Sequence, residues 1–127
     1  MSADLFLSPL DNGERPSVAE LQTAFSRLDG YTATSDGLSV GESWCVEIHA
    51  VDDESQDAYL AIHCRDDEGC SICFENGDET TIAYVSSVIA TICGPMALHH
   101  PSSPEPLVTL YPNMTFDDVR VAMDNAR

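Results

Sequence analysis

The chain has 127 residues, which points to one domain. It carries 22 acidic residues against 5 basic ones, a net charge of −17, and every basic residue is an arginine. A hydrophobic fraction of 43% supplies enough apolar side chains for a core and argues against disorder. A field of this sign repels polyanions, so non-specific binding to nucleic acid or to an anionic membrane is excluded.

Leu5-Phe6-Leu7 reads as a short strand or an arm within residues 1–16. The first helix spans about 17–28. Ser17-x-x-Glu20 is a capping box, in which each side chain satisfies a backbone N–H that the first turn leaves without a partner. Val18, Leu21, Phe25 and Leu28 then follow at helical spacing, and Asp29-Gly30 stops the run.

From Gly41 to Glu75 the period changes to two. Trp44, Val46, Ile48 and Ala50 alternate with Cys45, Glu47, His49 and Val51. Leu60, Ile62 and Cys64 alternate with Tyr59, Ala61 and His63, and a turn over 65–69 leads to Cys70, Ile72 and Phe74. The pattern predicts an antiparallel three-stranded meander with one apolar face. Residues 31–40 add a further strand, broken by a turn at Ser35-Asp36-Gly37.

A second helix covers 79–93, with Asp78 as N-cap and Gly94-Pro95 as the stop. The segment 99–106 holds three prolines and reads as a loop, and 107–111 as a short strand. Thr115-x-x-Asp118 caps a last helix bearing Phe116, Val119 and Met123. The expected fold is therefore a single α+β domain: an antiparallel sheet of about four to five strands with helices packed on one face. With the helices on the Trp44, Ile62 and Phe74 side, Glu47, His49, Tyr59 and His63 stay open on the other face as a dock for a basic partner; the competing arrangement puts the first helix over that face.

The acids cluster. Asp52, Asp53, Glu54 and Asp57 fill the first meander turn, and Glu75, Asp78 and Glu79 follow the third strand. An up-down-up meander brings both connections to one end of the sheet, so seven carboxylates converge there. Such a surface suits a basic partner, speeding encounter and repelling wrong ones. The loop 52–57 lacks the ligand spacing of a calcium-binding EF-hand. Abundant acid without lysine also matches adaptation to high salt.

Five cysteines are an odd number, which favours reduced thiols and a cytoplasmic protein over a disulfide framework. No stretch reads as a signal peptide or a spanning helix. Strand parity places Cys64 and Cys70 on the apolar face as small buried hydrophobes. Cys45, His49, His63 and Cys73 fall on the other face, the right residue types for zinc. Cys70-x-x-Cys73 on a strand sends its thiols to opposite faces, however, so no metal and no other cofactor is expected. Neither a nucleophile–base–orienter set nor an oxyanion loop is visible, so no enzyme is expected.

Small size, acidity and this α+β pattern together resemble the immunity proteins of bacterial toxin–immunity pairs. That resemblance implies a protein that binds a cognate basic toxin domain and occludes its active site with acidic loops. On this chain the implied contacts are Asp52, Asp53, Glu54, Asp57, Glu75, Asp78 and Glu79, with Tyr59 as an aromatic anchor. The pattern also looks like the dimeric secretion chaperones that hold effectors. A dimer would explain the broad apolar surface of the 79–93 helix (Tyr84, Val85, Val88, Ile89, Ile92), and so would burial within a monomer.

Overall fold

The computed structural model describes residues 5–10, 14–35, 43–52, 57–65, 69–100 and 105–125. Its strands are β1 (Leu5–Pro9), β2 (Tyr31–Ser35), β3 (Ser43–Ala50), β4 (Asp57–Arg65), β5 (Gly69–Gly77), β6 (Met96–His99) and β7 (Val108–Leu110). The helices are α1 (Val18–Ser26), α2 (Glu79–Cys93) and α3 (Phe116–Asn125). The strands form one seven-stranded sheet in the order β2-β3-β4-β5-β1-β6-β7, and each neighbouring pair is antiparallel.

The predicted β3-β4-β5 meander is present, but four to five strands is an undercount. The N-terminal segment is no loose arm: β1 lies between β5 and β6, with Leu5 opposite Phe74 and Leu7 opposite both Ile72 and Leu98. β6, where only the loop after 99 was expected, joins β1 to β7. Both segments are short and apolar on both faces, so they carry no alternation to read. Their pairing comes from distant chain, across the whole sheet.

Each helix begins where its capping residues say. Ser17 Oγ accepts from Glu20 N at 3.1 Å, and Glu20 Oε1 accepts from Ser17 N at 3.0 Å. Asp78 Oδ2 accepts from Thr81 N at 3.1 Å, and Thr115 with Asp118 repeats the reciprocal box on α3. Satisfying these first-turn donors fixes where each helix starts and hence which stripe it buries.

All three helices lie on one side of the sheet. Leu21 and Ala24 of α1, Ile82, Val85 and Ile89 of α2, and Val119 and Met123 of α3 are buried in one core with Val46, Leu60, Ile62, Ile72 and Phe74. α1 packs beside α2 rather than over the opposite face. α2 is enclosed by α1, α3 and the sheet, and its buried hydroxyls are satisfied locally, Ser86 Oγ donating to Ile82 O at 2.8 Å. Of its broad apolar surface, Val85 and Ile89 are buried and Tyr84, Val88 and Ile92 are half-buried against the same core.

Cys64 and Cys70 are buried on the helix side as their parity requires, but they are not separate reduced thiols. They sit directly opposite on β4 and β5 and form a disulfide across the hairpin. Cys45, Cys73 and Cys93 lie outside it. The odd count therefore leaves room for a disulfide plus three thiols, which parity of number alone hides.

Candidate partner-binding face

The side of the sheet opposite the helices is built from the other parity of each strand. Register sets these side chains in rows across the strands. Nearest the end where β4 begins stands Thr32–His49–Asp57, followed by Thr34–Glu47–Tyr59. Next come Cys45–Ala61–Cys73–Phe6–His99, and then His63–Ser71. A β-bulge falls in the second row: Tyr59 pairs with Asn76 and Leu60 with Phe74, so Glu75 is the extra residue. Glu75 nevertheless keeps to the open face and borders the same cleft as Tyr59 and Glu47.

The result is a cleft of about 370 Å³ bordered by Thr34, Cys45, Glu47, Tyr59 and Glu75. Tyr59 is half-buried, meets His49 edge to face at 5.6 Å, and donates its hydroxyl to Asp57 Oδ2 at 3.3 Å. Partial burial first, then the Asp57 charge and hydrogen bond and the Glu47 charge, push the Tyr59 phenol above its ordinary pKa. The phenol therefore stays neutral among carboxylates. A second, mostly apolar hollow of about 230 Å³ lies beside this cleft, bordered by Phe6, Ala61, His63, Ser71 and Cys73.

The expected acidic end is present in part. Asp52 is exposed just after β3, while Asp53 and Glu54 lie outside the described residues. The two connections do meet: Asp78 N donates to Asp57 O at 2.8 Å. Gly77 permits this approach, because at φ 137° a Cβ there would stand 2.6 Å from Asp57 O. Yet the five described carboxylates do not form one cluster. Asp78 spends its carboxylate on the α2 cap, accepting from both Thr81 N and Thr81 Oγ1, and Glu79 sits in that helix's first turn. Glu75 faces the open sheet instead, where its neighbour is Glu47, which strand parity also assigns to that face.

No three His, Cys, Asp or Glu residues gather into a metal site among the described residues. Cys70 and Cys73 face opposite sides of the sheet, as strand geometry requires. His99 belongs to β6 rather than to the proline-rich loop, with its Nε2 3.0 Å from Ser8 Oγ. No described helix is long and apolar enough to cross a membrane. No family model, curated protein or solved structure matches the chain.

Proposed function

We propose that this protein is an immunity protein, which binds a cognate basic toxin domain and neutralises it by covering its active site with acidic surface. The observation that carries the reading is the one-sided placement of the helices. It leaves an open sheet face on which Glu47, Tyr59 and Glu75 border one cleft, in a molecule of charge −17. Asp52 and Asp57 extend the acid to the adjoining end, and Asp53 and Glu54 belong to the same connection in sequence. A toxin whose natural ligand is anionic would present basic groups, for which carboxylates are the complementary chemistry. The packing of α2 against α1, α3 and the sheet weakens the feature that most favoured a dimeric chaperone.

The test is capture of the partner from source cells with tagged full-length protein at low and moderate salt. The captured protein is then purified and its own activity assayed. A basic, folded, near-stoichiometric partner whose activity is lost at one equivalent of this protein is the expected result. An unfolded effector, or an active partner unaffected by binding, would replace the immunity reading with a chaperone or scaffold role.

A further inference from the structure

Acid borders two surfaces of the molecule, the end of the sheet at Asp52 and Asp57 and the open face at Glu47 and Glu75. We infer that the open face is where the partner docks, and that it receives a basic protein segment presenting an apolar side chain next to a guanidinium or ammonium group. This assignment rests on the binding function proposed above and places that function on particular side chains.

Three features of the face converge on this occupant. First, the apolar hollow is shaped rather than flat. Phe6 stands 38% exposed at its edge while both its strand neighbours, Leu5 and Leu7, are buried. A large apolar ring left in water at the middle of a sheet, beside a hollow of about 230 Å³, is the type of feature that anchors interfaces. Second, the next row of side chains supplies charge. Glu47 and Glu75 flank Tyr59, and no basic side chain pairs with either carboxylate among the described residues. A cation arriving there meets two carboxylates beside an aromatic side chain, which favours arginine or lysine by charge.

Third, the far margin of the hollow is held in place by a cross-link from the chain before α1. Arg15 crosses there, and its Nη1 donates to Ser71 Oγ at 3.1 Å. Gly69 allows this close passage, since a Cβ there would lie 2.8 Å from the Arg15 backbone oxygen. Among the described residues a guanidinium thus stands at this margin of the hollow, and the sequence adds Asp66, Asp67 and Glu68 on the adjoining β4–β5 connection. A second copy of this chain is a poor occupant, because two molecules of −17 repel. A polyanion is excluded for the same reason.

The experiment maps the face with two small probes matched in ring and opposite in charge. 15N-labelled full-length protein is titrated with 2-phenylethylguanidinium and, separately, with 3-phenylpropionate. The guanidinium probe should give saturable shifts at the amides of Phe6, Ala61, Cys73, Glu47 and Glu75. The carboxylate probe should bind at least about ten-fold more weakly, as two nearby carboxylates require. Ala61→Arg should remove the shifts. Because that change could disturb β4, the exposed pair Glu47→Gln with Glu75→Gln provides the second variant, and it should shrink the preference for the guanidinium probe to less than about three-fold. Equal binding of both probes to the unaltered protein would overturn the assignment, as would shifts at the amides flanking Asp52 alone or no saturable response.

A second measurement separates this assignment from the function it rests on. With the purified partner, Glu47→Arg should weaken binding by at least about ten-fold and Asp52→Lys by less than about three-fold, since a desolvated central contact outweighs a rim charge. The reverse ranking would refute the open face and leave the immunity function standing.

Discussion

Cys93 occupies the last turn of α2, half-buried, with the Glu20 carboxylate of α1 as its hydrogen-bond partner. Desolvation first, then the negative charge of Glu20 and its hydrogen bond, push the thiol up from an ordinary 9.0 to about 12. At pH 8 only ~1 in 10⁴ such thiols would be ionised, and the thiolate is the reactive species. Cys45, by contrast, is exposed on the open face. Iodoacetamide at that pH should therefore label Cys45 and spare Cys93 in the folded protein, with peptide mapping as the readout, and Glu20→Gln should speed labelling of Cys93. Because the folded pKa is raised, the protonated thiol favours the fold fully below the unfolded value. That contribution declines as pH rises from 9.0 through about 12. The stability difference between the native protein and Cys93→Ser should fall across this window. A flat difference would mean that the fold does not raise the thiol's pKa.

At the scale of elements, the caps are the clearest link from sequence to structure. The Asp78 carboxylate closes the first turn of α2 through Thr81 N at 3.1 Å and Thr81 Oγ1 at 3.0 Å. Asp78→Ala should cost about 1 kcal/mol, as loss of an N-cap usually does. The thermal midpoint should drop by roughly 4 °C for a domain of this size. Partner affinity should hardly change, because the carboxylate is committed to the helix; a large loss of affinity would return Asp78 to the binding surface. The same short-range chemistry made all three helices legible, as alternation did for β3, β4 and β5. β1 and β6 were not legible as sheet members for a physical reason. Leu5-Phe6-Leu7 is apolar at both parities, so nothing local says that Phe6 faces outward, or that β1 pairs with β5 and β6 more than 60 residues away. The site was half legible on the same grounds. Strand parity put Glu47, Tyr59 and Glu75 on one face, but which of them lie side by side depends on the register of β3, β4 and β5, which no local pattern states. The turn-based reading grouped Glu75 with Asp78 by nearness in sequence, whereas strand parity sends the first to the open face and capping holds the second at the helix.

For the whole molecule, one sign of charge has two consequences that salt should drive in opposite directions. A charge of −17 on 127 residues repels itself within the fold and attracts a basic partner from outside. Between about 10 mM and about 1 M salt the Debye length shrinks from about 30 Å to about 3 Å, so both effects are screened over that range. The fold should accordingly gain thermal stability with added salt yet remain folded at the low end. The apolar core of β1, β3–β6 and the three helices is formed without any contribution from the surface acids. Association with the partner should slow over the same range, from about 10⁸ toward about 10⁶ M⁻¹ s⁻¹, since steering acts on encounter. Dissociation should change much less, because it is governed by short-range contacts in the apolar hollow that salt does not screen. Stopped-flow mixing at several salt concentrations, beside melting curves at the same concentrations, reads both. A protein whose acidity serves salt adaptation would behave differently, losing its fold at low salt and showing no partner whose on-rate follows the screening. Opposite slopes for stability and on-rate would instead tie the acidity to recognition. The chain would then tolerate self-repulsion in the free state because the field that causes it also brings the partner to the open face.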